Sequence, residues 1–96
     1  MKLSVTDRYG NEIYLTDERW EHIVTGHAEI AQHIDRLFEA LTTGKRKQDD
    51  LRMNVYVYTL AYDDLETENN FIEVVVKFGR NDDGSANNFV LTAYET

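Results

Sequence analysis

The hydrophobic period of this chain changes once, and that change constrains its fold more than any other feature. Between Trp20 and Leu41 apolar residues recur every three or four positions, as on one face of a helix; from Asn54 to Tyr94 they recur every second position, as on one face of a strand. Helices followed by a run of strands, joined by polar loops of hairpin type, specify a two-layer α+β domain. The 96 residues, 42% hydrophobic, suffice for one domain over 1–96 with a single core.

Local signals refine this outline. Leu3 to Val5 and Ile13 to Leu15 flank a turn containing Asp7 and Gly10-Asn11, which predicts an N-terminal β-hairpin. Thr16 follows as a helix N-cap, with Asp17 and Glu18 in the first turn, where carboxylates complement the dipole, and Leu15 placed to staple against Trp20. On this helix Trp20, Ile23, Val24 and His27 share a face, while His22 points roughly 200° away from Trp20 at ~100° per residue. Gly26 suits the helix end. A second amphipathic helix is predicted from Ala28, burying Ile30, Ile34, Leu37, Phe38 and Leu41 and stopping at Thr42-Thr43-Gly44.

Three antiparallel strands, Asn54 to Tyr62, Phe71 to Phe78 and Asn88 to Tyr94, then supply most of the sheet. Alternation groups Ile72, Val74, Val76 and Phe78 against Glu73, Val75 and Lys77, and in the last strand Phe89, Leu91 and Ala93 against Val90, Thr92 and Tyr94. The expected core combines Trp20, Ile34, Phe38, Val74, Val76 and Leu91. The open face carries Glu73, Lys77, Thr92 and Tyr94, with either Tyr56 and Tyr58 or the alternate residues of their strand.

A net charge of −8 repels polyanions at long range and counts against a general nucleic-acid binder. The charge is uneven, however. Asp63, Asp64, Glu66 and Glu68 crowd one loop, whereas Lys45, Arg46, Lys47 and Arg52 form a basic segment, read as a solvated loop able to touch phosphate. With no cysteine, disulfide and thiolate chemistry are excluded and a reducing, cytoplasmic compartment is expected. No run approaches the ~20 apolar residues of a membrane span, so no membrane partner is expected.

The order of a strand hairpin, the segment Leu15-Thr-Asp-Glu-Arg-Trp20-Glu-His22-Ile-Val-Thr-Gly-His27, an amphipathic helix and three strands ending Asn88-Phe-Val-Leu-Thr92-Ala-Tyr94 resembles the phage nuclease-like families grouped with barnase, EndoU, colicin and RelE-type ribonucleases. It resembles especially small stand-alone bacterial members that read W-x-H-I-x-x-x-H and finish V-x-T-A-Y, and the likeness spans nearly the whole chain. Where that pattern often carries proline after the second histidine, this chain has Ala28. The resemblance implies a barnase- or RelE-like fold and metal-independent RNA cleavage of the toxin kind. His27 matches the second histidine, and Thr92 and Tyr94 match the terminal pair.

The residues support that chemistry on their own terms. Cleaving RNA through its own 2'-hydroxyl needs a base for that hydroxyl, an acid for the leaving 5'-oxygen, and donors for the charge on the phosphorane, none of them requiring a metal or other cofactor. His27 as base or acid, Lys77 as cation, and Thr92 and Tyr94 as donors form such a set. His22, Tyr56 and Tyr58 (as a base-stacking platform), and the basic Lys45, Arg46, Lys47 and Arg52 are the candidate RNA-binding residues. Each taken singly is an ordinary structural residue, and only their convergence makes a site. The histidines His22, His27 and His33 lack metal-ligand spacing, and Asn81-Asp82-Asp83-Gly84-Ser85 is a turn whose glycine falls at the wrong place for a calcium loop. RNA, free or ribosome-bound, and a cognate antitoxin are the partners this reading implies. The alternative is a non-catalytic relative that binds a protein partner through the same sheet face, which the acidic charge favours; an acidic nucleic-acid mimic would fit the charge but leaves the histidines and tyrosines without a role.

Overall fold

Alternating apolar residues at Val5, Ile13 and Leu15 and a tight turn containing Gly10 (φ 88°) produce the hairpin of β1 (Lys2–Thr6) and β2 (Glu12–Thr16). The computed structural model describes residues 2–96. Thr16 Oγ1 accepts the Arg19 N–H at 3.1 Å and starts helix α1 (Asp17–Gly26), as its sequence predicts. The second helix begins later than expected. At His27 the backbone leaves helical space (φ −136°, ψ 75°), a 3₁₀ turn covers Ala28–Gln32, and a second break at His33 (φ −124°, ψ 32°) precedes helix α2 (Ile34–Thr43). The delayed start sets the buried face of α2 on Leu37, Ala40 and Leu41, so Ile34 and Phe38, like Trp20 on α1, pack at the margin of the core.

Gly44 joins α2 to the next strand under tight constraint: a Cβ there would lie 2.4 Å from the Ala40 carbonyl oxygen and 2.7 Å from that of Thr59. The basic segment beyond it is a strand, β3 (Lys45–Gln48), and not a loop. Its polar side chains carry no apolar period, because an edge strand is paired on one side only. It is followed by β4 (Val55–Ala61), β5 (Phe71–Lys77) and β6 (Phe89–Glu95). The sheet is therefore six-stranded and mixed, in the order β1-β2-β6-β5-β4-β3, where three C-terminal antiparallel strands were expected to supply most of it. All pairs are antiparallel except β2 and β6, which run parallel and meet at Tyr14 and Phe89 alone.

One sheet face packs on the helices around fully buried Ile13, Ile23, Ile30, Leu37, Val74 and Val76. Two expectations about the faces change. Val75 pairs with Thr92 and Val76 with Val90, which makes Leu91 the extra residue of a β-bulge. Val90 and Ala93 are consequently both buried, and Leu91 is only half-buried. In β4 the register with β5 directs Tyr56 and Tyr58 to the core side, leaving Val57 and Thr59 on the open face.

The acidic loop after β4 is tied down. Arg36 makes a bidentate pair with Asp64 at 2.9 and 2.8 Å, and Thr67 donates to the Glu95 carboxylate, whose other oxygen lies 3.5 Å from His33 Nε2. Among the described residues, no helix is long and apolar enough to cross a membrane.

A buried carboxylate closes the far end of the core. Asp7 accepts the backbone N–H groups of Tyr9 and Asn11 at 2.9 and 2.7 Å and the hydroxyl of Tyr58, with Arg46 Nη1 3.8 Å away. Arg46 is enclosed in turn by the rings of Tyr9 and Tyr56, at 4.5 and 4.4 Å, and of Phe78. The Arg8 N–H donates to the Leu41 carbonyl at 3.2 Å, so the same turn satisfies the C-terminal end of α2, which carries no basic residue in its last turn. Burial alone would raise the Asp7 pKa, but the hydrogen bonds from Tyr58, Asn11 and Tyr9 outweigh it and hold the group below its ordinary 3.8. A lowered folded pKa stabilises fully above the ordinary value and is lost as the pH falls through the lowered one. Asp7→Ala is expected to cost about 3 kcal/mol in urea unfolding, at ~1–3 kcal/mol for each buried group stranded. The advantage of the wild type over Asp7→Asn should shrink as the pH falls below the ordinary carboxylate value of 3.8; an advantage independent of pH there would show that the carboxylate charge does not matter.

Candidate active-site groove along strand β6

β2 leaves β6 after the Tyr14–Phe89 pair because Thr16 turns the chain into α1, and the helix then lies beside the free edge of β6. Beside the first turns of α1 this leaves a cleft of about 650 Å³ lined by Tyr14, Phe89, Arg19, His22 and Thr25. His22, set away from the Trp20 face by its helical angle, thus lines a cleft with its neighbours one turn either side.

The other end of α1 meets the C-terminal half of β6. His27, the C-cap residue, lays its ring against that of Tyr94, with centroids 5.6 Å apart and planes inclined at 44°. The His27 side chain remains 41% exposed, and its Nδ1 lies 3.6 Å from the Glu29 carboxylate, which leaves Nε2 as the nitrogen directed elsewhere. Thr92, half-buried, shares the open face with Tyr94. Burial, reinforced by the charge of Glu73 opposite it on β5 and by a hydrogen bond to that carboxylate, pushes the Tyr94 phenol up, so it stays protonated and acts as a donor.

Lys77 does not join this cluster. It pairs with Phe89, whereas Tyr94 pairs with Glu73, four residues away and about 13 Å along the strand. Lys77 is exposed at the cleft end of the face. Lys45 and Lys47 lie opposite Thr59 and Val57 and project to the open face, where Lys47 lines a hollow of about 280 Å³ with Glu73, Asp49 and Asp50.

The remaining basic and aromatic candidates are committed elsewhere. Arg46 is enclosed on the core side; Tyr58 is fully buried beneath it, its phenol pushed up by burial and by Asp7; and Tyr56 packs on Phe78 at 5.2 Å. These three cannot stack or bind RNA on the Tyr94 face, because the strand register turns them to the other side of the sheet. Arg52 pairs with Asp49 at 3.2 Å. The basic residues of the open face are thus the flanking lysines.

Arg19, Tyr14 and Phe89 belong to the cleft but were not among the sequence candidates. Period two put Phe89 on the face of Leu91 and Ala93; the bulge moves Ala93 to the opposite face. His33 takes no part, being held against Glu95, and among the described residues no three His, Asp or Glu side chains gather in a metal-binding arrangement.

The influence of Glu73 on Tyr94 can be measured directly. Glu73→Gln should lower the Tyr94 pKa without returning it to the free value, since burial remains the larger cause; side-chain NMR titration of Tyr94 that finds no change would dismiss the contact. No family model, curated protein or solved structure matches the chain.

Proposed function

We propose that this chain is a metal-independent endoribonuclease of the toxin type, with a barnase- or RelE-like arrangement of hairpin, helices and β4-β5-β6 meander. The observation that carries the proposal is the ring contact between the part-exposed His27 imidazole and Tyr94. It brings an imidazole and a phenol together on the open face of β6. In this reading His27 Nε2 takes the proton of the RNA 2'-hydroxyl, whose oxygen attacks the adjacent phosphorus. The Tyr94 hydroxyl gives its proton to the departing 5'-oxygen, and the Thr92 hydroxyl donates to a non-bridging phosphoryl oxygen. Glu29 positions the His27 ring through Nδ1. A 2',3'-cyclic phosphate is left behind, and solvent returns the protons to their starting groups. Lys77 serves a neighbouring phosphate, given its distance along the strand.

The net charge of −8 sets the expectation for binding: weak, and dependent on a few cations lining the path. A second reading, a protein-binding module, draws on Leu51 and Met53. These are 94% and 85% exposed at the tip of the β3–β4 loop, which is held in shape by Asp49 accepting the backbone N–H groups of Leu51 and Arg52. An antitoxin or other protein partner would cover such a tip.

Purified protein is expected to cleave single-stranded or ribosome-bound RNA in EDTA and to leave 2',3'-cyclic ends. His27→Ala or Tyr94→Phe should slow cleavage by roughly 10²- to 10⁴-fold, as loss of an acid–base group does, with unfolding temperatures unchanged. Lys77→Ala should mainly flatten the salt dependence. An inactive wild type, tested at low salt on total RNA and on translating ribosomes, would favour the protein-binding reading, and activity abolished by EDTA would sink the metal-independent mechanism.

A further inference from the structure

The cleft beside the first turns of α1 has a chemistry of its own. Its floor is aromatic and prebuilt. The Tyr14 hydroxyl donates to Asn87 Oδ1 at 2.6 Å, the Lys2 ammonium lies 4.5 Å from the Tyr14 ring centroid, and Phe89 packs beside it with centroids 6.0 Å apart and planes at 37°. Phe89 is anchored on its other side by the ladder to β5. The wall is the first two turns of α1, where Arg19 and His22 present N–H donors beside the carboxylate acceptors of Glu18 and Glu21.

We infer that this cleft is a base-binding subsite for an unpaired purine of the RNA strand. The inference rests on the ribonuclease reading for its ligand class and deepens it by assigning the specificity-determining residues. Three properties decide between ligand types. The volume of about 650 Å³ lies in the range of small-molecule sites, ~300–1,000 Å³. Two carboxylates in the wall disfavour a bare phosphate, and the alternation of donors and acceptors disfavours a purely apolar guest. A nucleobase has the matching form: an apolar face for the aromatic floor and an edge mixing donors and acceptors for the wall. Purines offer the larger face to Tyr14 and Phe89, and the cleft has room for them. Phe89 stands five residues before Tyr94, one of them the bulge, about 13 Å along β6. The base held in the cleft therefore belongs to a nucleotide near the scissile one and not to the scissile nucleotide itself, and Lys77, paired with Phe89, faces the phosphate of that neighbour.

The test needs no cleavage. Adenosine, guanosine, uridine and cytidine 3'-monophosphates are titrated into the ¹⁵N-labelled full chain, and the amide shifts of Tyr14, Arg19, His22, Phe89 and Val90 are followed. The purine nucleotides are expected to move these amides and to bind at least several-fold tighter than the pyrimidine ones. Phe89→Leu should weaken purine binding by about tenfold, as loss of one stacking surface does. Arg19→Ala, on the helix exterior, should do the same without touching the sheet, which covers the case where the Phe89 variant is poorly folded. His27→Ala should bind purines as the wild type does. Equal binding of all four nucleotides, or shifts confined to other parts of the chain, would overturn the subsite. RNA cleavage with no purine binding in the cleft overturns it while leaving the ribonuclease reading intact; purine binding by a chain that cleaves no RNA supports the subsite and removes the reading that named its ligand.

Discussion

The buried Asp7 carboxylate is the interaction on which the rest of the structure depends. It sits in the first hairpin turn, yet it reaches Tyr58 on β4 and Arg46 on β3, at the opposite edge of the sheet. A charge taken out of water is tolerable only when it is hydrogen-bonded and paired, and here backbone N–H groups, the Asn11 amide and a phenol donate to it while a guanidinium lies 3.8 Å away. The same turn also caps α2 through the Arg8 N–H. β2, which follows the turn, pairs in parallel with β6, and the departure of α1 from β2 leaves the cleft beside Tyr14 and Phe89.

Much of the fold was legible because it rests on short-range rules. The hairpin, the Thr16 cap, the apolar faces of the helices and the three long strands each follow from local period or local hydrogen bonding. What escaped depends on partners distant in sequence. Lys45 to Gln48 form a strand because β4 offers an edge, not because their side chains alternate. The bulge at Leu91 breaks period two at one residue, and such an insertion has no signature in a strand of otherwise apolar character. Asp7 reads as an ordinary turn residue and Arg46 as part of a solvated loop, yet each is buried or enclosed by groups on other elements.

The same distinction runs through the candidate site. His27 and Tyr94 meet because each ends an element whose packing the sequence specifies, α1 through its apolar face and β6 through its alternation. Lys77 shares their sheet face, and face is all that alternation reports; position along the strand is set by register, which places it beside Phe89. Tyr56 and Tyr58 stood on one of two faces that their strand alone could not choose between, and packing against α2 and the hairpin turn chose the inner one. The cleft residues Tyr14 and Arg19 belong to the hairpin and first helix, where their spacing looks like ordinary amphipathic structure until β6 is set beside them.

The single pairing between β2 and β6 has a mechanical consequence. Near Asn87 and Asn88 the two strands are pinned by directional bonds, from the Tyr14 N–H to the Asn88 carbonyl at 3.0 Å and from the Asn88 amide to the Glu12 carbonyl at 3.0 Å. Beyond that point no ladder joins them, and α1 is held to the sheet by Ile23 and its apolar neighbours, whose contacts resist separation far more than sliding. The wall is thus held at both ends, by the Tyr14 and Asn88 bonds at one and by buried Ile30 and the His33–Glu95 pair at the other, and the stretch of α1 between them rests on apolar packing alone.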